Sequence, residues 1–165
     1  FAHFFAGQDW AAEVHHQMLA AYNGAECFLR LTPGMAMEDL SRRRSIGPVA
    51  ALGEDRRQHL RREVACPGDE RLVLIAFGGI NKELPLAGWP TMNGIHWLVP
   101  QAWQSRQPNT SDFETLGLAM PDLLRSVDAV IAKPGYGTFA EAACNGTPVL
   151  YIRRQELPAQ DCLID

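Results

Sequence analysis

The sequence predicts an α/β fold, a doubly wound parallel sheet of the Rossmann-like kind, preceded by the tail of another domain. From residue 49 onward, apolar β-branched segments alternate with helical ones, and their connections are long enough for crossovers between parallel strands. Two of these segments are continuously apolar, as strands buried on both faces are. A glycine turn follows each of the two, and open α/β sheets bind ligands beside such turns.

Each element follows from a local pattern. Apolar, β-branched runs predict buried strands at 71–77, 95–99, 129–132 and 149–152, and a short strand at 26–31. Helical spacing predicts helices at 10–22, 54–63, 121–126 and 138–145, and the polar residues 100–111 predict a loop. Residues 1–48 do not fit the alternation. We expect them to be the tail and linker of an N-terminal domain, and 49–165 to be a ligand-binding domain truncated at its C-terminus.

Composition excludes several classes of protein. The 165 residues are 47% hydrophobic and 21% charged, which is typical of a globular protein, and the net charge of −4 does not indicate general nucleic-acid binding. No apolar run reaches membrane-spanning length. The cysteines lack CxxC spacing, so neither a metal site nor a disulfide framework is indicated, and a cytoplasmic location is expected.

Residues 128–152 are the centre of the functional prediction. They form the pattern strand, glycine turn, helix, Asn145-Gly146 stop, strand. Thr138 to Glu141 has the capping-box pattern of a helix start, while Gly135 and Gly137 let the backbone turn and a ligand approach. Free N–H groups at a helix start bind anions, most often phosphate. The alternative is a tight turn that binds nothing.

A second glycine turn, Gly78-Gly79, follows the strand at 71–77. Two such turns at neighbouring strand ends predict one ligand that spans both, with Lys133 adding positive charge. The spacing Gly135-x-Gly137-x-x-Ala140 also fits a dinucleotide fingerprint, with Arg153 and Arg154 placed for the 2′-phosphate of NADP. That fingerprint normally follows the first strand of its domain, and here several strands precede it.

The segment from Asp128 to Glu141, followed by Gly146-Thr-Pro148 and Gln160, resembles the nucleotide-sugar-binding C-terminal domain of GT-B glycosyltransferases. It is similar to the peptidoglycan N-acetylglucosaminyltransferase and to the glycosyltransferase-like domain of arabinokinases. The likeness covers residues 120–165 and extends to the Gly78-Gly79 turn.

The resemblance implies a role for each matching position. Amides of Tyr136, Gly137 and Thr138 would hold the diphosphate of a UDP-linked sugar, and Glu141 would bind both ribose hydroxyls. Further residues that the resemblance or the charge pattern assigns to the donor sugar or to phosphate are Gln160, Arg153, Arg154 and Lys133. No metal or other cofactor is expected, and the catalytic base is expected in a preceding domain that also binds the acceptor.

The alternatives remain open at this point. Glu141 completes a capping box with Thr138 in the simplest interpretation, and Tyr136 packs over the turn. Gln160 is then an exposed helix residue, and Arg153 and Arg154 form a solvated strand end. At the level of function, the competing hypotheses are an NADP-dependent oxidoreductase, a nucleotide-sugar epimerase and a non-catalytic interaction module.

Overall fold

The computed structural model describes residues 5–77 and 93–151. The chain divides into two compact units, Phe1–Pro48 and Val49–Asp165. The division falls at the predicted junction, but it does not test whether the first unit is the tail of an acceptor-binding domain. Among the described residues, no helix is both long and apolar enough to cross a membrane.

The first unit contains helix α1 (Ala11–Asn23) and two parallel strands, β1 (Phe28–Leu31) and β2 (Arg43–Ile46). The Asn23 side chain accepts hydrogen bonds from the N–H and hydroxyl of Ser41, which holds the end of α1 against the connection between the strands. Three consecutive arginines, Arg42, Arg43 and Arg44, lead into β2, and all three are exposed.

The second unit is a Rossmann-like α/β domain around a sheet of five parallel strands. In chain order its elements are α2 (Arg57–Glu63), β3 (Arg71–Ala76), β4 (Ile95–Val99), β5 (Thr110–Asp112), α3 (Met120–Ser126), β6 (Ala129–Ala132), α4 (Tyr136–Asn145) and β7 (Val149–Tyr151). Short 3₁₀ helices at Gln101–Trp103 and Phe113–Leu116 flank β5. The spatial order of the strands is β5-β4-β3-β6-β7.

The core lies on both faces of this sheet, because alternate residues of a strand point to opposite sides. Leu72 and Leu74 of β3 join a cluster with residues of α2, α3 and α4, while Val73 and Ile75 pack with Trp103 on the other face. The predicted α/β class with a parallel sheet is therefore confirmed. The doubly wound arrangement, which requires helices on both faces, stays a prediction.

Four local predictions need correction. Strand β5 begins inside the stretch predicted as loop, since its three residues pair in register with Trp97 to Val99. Helix α2 begins at Arg57 rather than 54, because the N–H groups of Glu54 and Arg56 bond to the side chains of Asp122 and Ser126 instead. The segment at 149–151 was predicted as buried, but Leu150 is 64% exposed because β7 is a sheet edge among the described residues. The fourth correction, at the start of α4, bears on the site.

At the end of the sheet where the strands begin, here called the amino edge, Asp128 connects three elements. Its carboxylate accepts a hydrogen bond of 2.8 Å from the N–H of Leu72 and one of 2.5 Å from Arg57. Burial alone would raise the pKa of Asp128, but the Leu72 N–H and the Arg57 guanidinium, helped by Arg61, outweigh it and hold the pKa below its ordinary value. The ionised carboxylate thus ties α2 and β3 to β6.

Candidate anion site at the start of α4

The opposite end of the sheet, the carboxyl edge, carries the turn from β6 into α4. Gly135 is the N-cap residue, with extended backbone (φ −170°, ψ 134°), and the helix begins at Tyr136. The first intrahelical bond runs from the N–H of Phe139 to the carbonyl of Gly135, at 3.1 Å. The N–H groups of Tyr136, Gly137 and Thr138 precede that bond, and no acceptor within residues 5–77 and 93–151 takes them.

The capping-box prediction is wrong. The helix begins two residues before Thr138, so Thr138 lies inside the first turn, and no side chain caps the helix. The physical reason is that glycine is a competent N-cap residue and its extended backbone lets the chain enter the helix early. Glu141 therefore lies in the second turn and cannot reach back to a cap at Thr138. In the described part of the chain its carboxylate has no hydrogen-bond or ion-pair partner.

Among residues 5–77 and 93–151, the surroundings of the two glycines in the turn are open. A Cβ atom placed on Gly135 or Gly137 would meet nothing within 4 Å. At Gly53, by contrast, a Cβ would lie 2.1 Å from the carbonyl oxygen of Pro121, so packing within the protein requires glycine there. Packing among the residues that the structure describes does not require glycine at 135 or 137, so a ligand could approach the backbone there.

Some side chains around the turn attach it to the rest of the unit, while Lys133 has no partner among the described residues. The hydroxyl of Tyr136 accepts a hydrogen bond of 3.1 Å from the N–H of Val49, which ties the start of the unit to the start of α4. The ring of Phe139 lies 5.5 Å from that of Tyr151, which fixes the helix against β7. Lys133 is half-buried, and no described residue pairs with its ammonium group. Tyr136 is thus anchored by its side chain, and its main-chain N–H is what it offers a ligand.

The topology places this turn beside the end of β3. From β3 the chain moves outward through β4 to β5, then returns to the other side of β3 for β6 and β7. Strand order therefore reverses between β3 and β6, where Ala76 is paired with Ala132 and both strands end. Ligands of open α/β sheets bind in the crevice outside the strand ends at such a reversal.

Several predicted site residues lie outside the described residues. These are Gly78, Gly79, Arg153, Arg154 and Gln160. The structure brings Lys133 and Glu141 to the same turn and helix as Gly135, Tyr136, Gly137 and Thr138.

Sequence reasoning missed Asn145 as a positioning residue. Its side chain is buried, accepts a hydrogen bond of 2.8 Å from the N–H of Gly53 and donates one of 3.0 Å to the carbonyl of Ala51. It therefore clamps the segment that enters the unit to the end of α4. The sequence shows Asn145-Gly146 only as a helix stop, because a buried asparagine and an exposed one give the same pattern.

Comparisons with known proteins do not identify a family. No protein-family model, no curated protein and no solved structure matches the chain.

Proposed function

We propose that the second unit binds a nucleoside diphosphate sugar and is the donor-binding half of a glycosyltransferase of the GT-B type. One observation carries this proposal: the N–H groups at the start of α4, which have no acceptor among the described residues, lie beside the strand-order reversal between β3 and β6. A backbone that offers several donors to open space at this position suits an extended anion such as a diphosphate.

The electrostatics of the helix support a diphosphate. The N-terminus of an α-helix carries a partial positive charge of about half an elementary charge. The ten-residue α4 has no acidic residue in its first turn to oppose that charge, and Lys133 adds a cation just before it. When the bond between sugar and diphosphate breaks, negative charge grows on the leaving diphosphate. Fixed N–H groups and the helix dipole stabilise that charge more strongly than the charge of the intact donor.

In this proposal, Glu141 binds the ribose of the same nucleotide. It lies four residues after Gly137 on the same face of α4, about 6 Å further along the helix axis. A carboxylate has enough acceptor capacity for both ribose hydroxyls, and no described residue already occupies it. In this proposal the phosphate is bound by the first turn of α4 and the ribose by the second.

An NADP-dependent oxidoreductase is the second candidate, favoured by one observation. Ala140, at the third position of the fingerprint, is only 4% exposed, as close packing of helix against strand requires. The topology favours the first candidate, however. The order β5-β4-β3-β6-β7 corresponds to 3-2-1-4-5 of the dinucleotide-binding fold, so the fingerprint would follow strand 1, which here is β3. The Gly135 turn follows β6, in the place of strand 4.

Calorimetric titration of the purified chain tests the proposal. The ligands are UDP, GDP and TDP, their sugar derivatives, inorganic pyrophosphate and NADPH. We expect saturable binding of a nucleoside diphosphate and its sugar, weaker binding of pyrophosphate and none of NADPH. NADPH binding in place of nucleoside diphosphates would establish the oxidoreductase instead. A folded chain that binds no nucleotide would contradict both candidates and leave a non-catalytic module.

Substitution of Glu141 separates the ribose from the phosphate. We expect Glu141→Ala to lower the affinity for UDP at least tenfold, or about 1.4 kcal/mol, because two hydrogen bonds to the ribose are lost. The affinity for pyrophosphate should not change. The matched control is Glu63→Ala, which removes an exposed glutamate from α2 and should change neither affinity. Equal UDP affinity in Glu141→Ala and the native chain would remove the ribose role.

A further inference from the structure

Three residues with metal-binding side chains converge at the amino edge of the sheet, away from the start of α4. They are Cys66 and Glu70, in the connection from α2 to β3, and His96 near the start of β4. One ligand atom from each lies within 4.8 Å of the other two. The side chains of Cys66 and His96 are buried, and Glu70 is half-buried. A buried histidine beside a carboxylate is less common in a core that needs only packing than the buried cysteine is.

The backbone holds Cys66 in this position by a defined turn. The N–H of Cys66 bonds to the carbonyl of Arg61 at 3.0 Å, and the N–H of Ala65 bonds to that of Arg62 at 3.2 Å. This is the Schellman arrangement at the end of a helix, with Ala65 in the left-handed region at φ 50°. Glycine usually occupies that position, so Ala65 is strained there. The turn that contains this strained residue directs the side chain of Cys66 into the protein.

We propose that Cys66, Glu70 and His96 bind a zinc ion. Thiolate, imidazole and carboxylate are the three protein ligands of zinc, and three of them leave the fourth tetrahedral position for water. In a tetrahedral site with bonds of 2.0–2.3 Å, ligand atoms lie about 3.5 Å apart. The sulfur of Cys66 is already 3.7 Å from Oε2 of Glu70, and the separations from His96, at most 4.8 Å, would shorten by about 1 Å on binding.

The surrounding groups fit a bound metal. Nε2 of His96 lies 2.9 Å from the hydroxyl oxygen of Ser111. In the tautomer with the proton on Nε2, that hydroxyl accepts it and Nδ1 is left for the metal. Nη1 of Arg61 lies 3.5 Å from the Cys66 sulfur and donates to it, as second-shell donors do to zinc thiolates. Asp128 lies 3.7 Å from the same guanidinium and offsets its charge.

The charges and protons of the binding step balance. The S–H of Cys66 has two acceptors within reach, the carbonyl of Pro67 at 3.5 Å and Oε2 of Glu70 at 3.7 Å. Its proton passes to solvent when the sulfur–zinc bond forms. The resulting thiolate and the Glu70 carboxylate neutralise the two charges of the ion. A surface depression of about 500 Å³ reaches Cys66, and Arg61, Arg62, Pro67 and Gly68 also line it. Bound zinc would join the α2–β3 connection to β4, independently of nucleotide binding at the other edge.

Cobalt substitution tests the site with a spectroscopic readout. The probe is Co²⁺ added to a chain in which Cys27, Cys144 and Cys162 are serine, so that Cys66 is the single thiol. We expect one equivalent to bind with a thiolate-to-cobalt charge-transfer band and the visible absorption of tetrahedral Co²⁺, and one equivalent of Zn²⁺ to displace it. Absence of the charge-transfer band from this folded chain would overturn the proposal.

Ligand variants identify the residues and separate binding from folding. In the native background, Cys66→Ser should abolish the thiolate-to-cobalt charge-transfer band. Glu70→Gln and His96→Gln should each lower the affinity for Co²⁺ at least tenfold. The matched control is the pair His59→Gln and Glu63→Gln on α2, an exposed histidine and glutamate 3.9 Å apart, which should not change the affinity for Co²⁺.

A zinc concentration of one hundred times Kd should raise the Tm of the native chain by about 5–10 °C. Equal affinity in His96→Gln and the control, or no zinc-dependent rise in Tm, would contradict the site.

Discussion

The two edges of the sheet differ in whether their polar groups have partners. At the amino edge, the Asp128 carboxylate takes the Leu72 N–H and the Arg57 guanidinium, and Arg71 lies 3.5 Å away. At the carboxyl edge, within the described residues, the N–H groups of Tyr136, Gly137 and Thr138 have no acceptor. Side chains of the protein cross-link the amino edge, while the N–H donors at the start of α4 remain available to water or a ligand.

The N–H donors that have no partner among the described residues mark the edge at which a ligand can bind. Unsatisfied main-chain donors are tolerable only where water or a ligand reaches them. The groups that Asp128 joins at the amino edge have a structural role that the protein fulfils alone. We therefore expect substitution of Asp128 to change stability, and substitutions at the start of α4 to change ligand affinity.

The largest expected effect comes from breaking the amino edge at Asp128. Asp128→Ala leaves the Leu72 N–H and the Arg57 guanidinium without their acceptor, and we expect a loss of about 2–4 kcal/mol in the free energy of unfolding. Urea denaturation followed by circular dichroism measures it. The matched control is the exposed Asp69, whose replacement by alanine should cost less than about 0.5 kcal/mol. Equal losses in the two variants would show that the Asp128 network is not a structural centre.

The next effect sharpens the contrast at the carboxyl edge. Gly137→Ala adds a methyl group where nothing lies within 4 Å, inside α4, so stability should stay equal or rise by up to about 1 kcal/mol. The same methyl group occupies the space a diphosphate needs, and we expect UDP affinity to fall at least tenfold, or about 1.4 kcal/mol. Calorimetry and urea denaturation of the same sample measure both quantities.

Gly146→Ala is the control at the other end of the same helix. Gly146 has φ +74°, a conformation that strains alanine, so stability should fall by about 1 kcal/mol while UDP affinity stays unchanged. A Gly137→Ala chain that binds UDP as tightly as the native chain would argue against a ligand at this turn.

The smallest effect is the pH dependence of the amino edge. Because the pKa of Asp128 is lower in the folded chain than its ordinary value of 3.8, this group stabilises the fold fully above that value. Its contribution is lost as pH falls through the folded pKa, as Arg57, Arg61 and Arg71 lose their carboxylate partner. The stability difference between native and Asp128→Asn chains should therefore shrink from pH 7 to pH 3 in urea titrations. A constant difference would contradict an ionised Asp128.

Much of the sheet was predictable because its strands carry their own signal. The segments 95–99 and 129–132 were predicted to the residue, since apolar β-branched runs bounded by turn residues allow few alternatives. Strand β5 was missed because its residues are polar and it forms only by pairing with β4. The start of α2 was missed because Glu54 and Arg56 bond to Asp122 and Ser126, residues far along the chain.

The site was predictable in place but not in detail. The glycines mark the turn after β6, yet the Thr138–Glu141 pattern indicated the wrong helix start, because Gly135 caps α4 without a side chain. The order of the strands places this turn beside β3. That order depends on the pairing of Val73 with Ala129, which are 56 residues apart, and no local sequence pattern indicates it. The Cys66, Glu70 and His96 group is likewise assembled by the fold and lacks the spacing of a sequence motif.

The central claim is that main-chain N–H groups at the start of α4 bind a diphosphate, and amide chemical shifts test it most directly. Uniformly ¹⁵N-labelled chain is titrated with UDP and, separately, with inorganic pyrophosphate. The account predicts that both ligands shift the amides of Tyr136, Gly137 and Thr138 in a saturable way. Saturable binding that shifts amides elsewhere and leaves these three unmoved would contradict it.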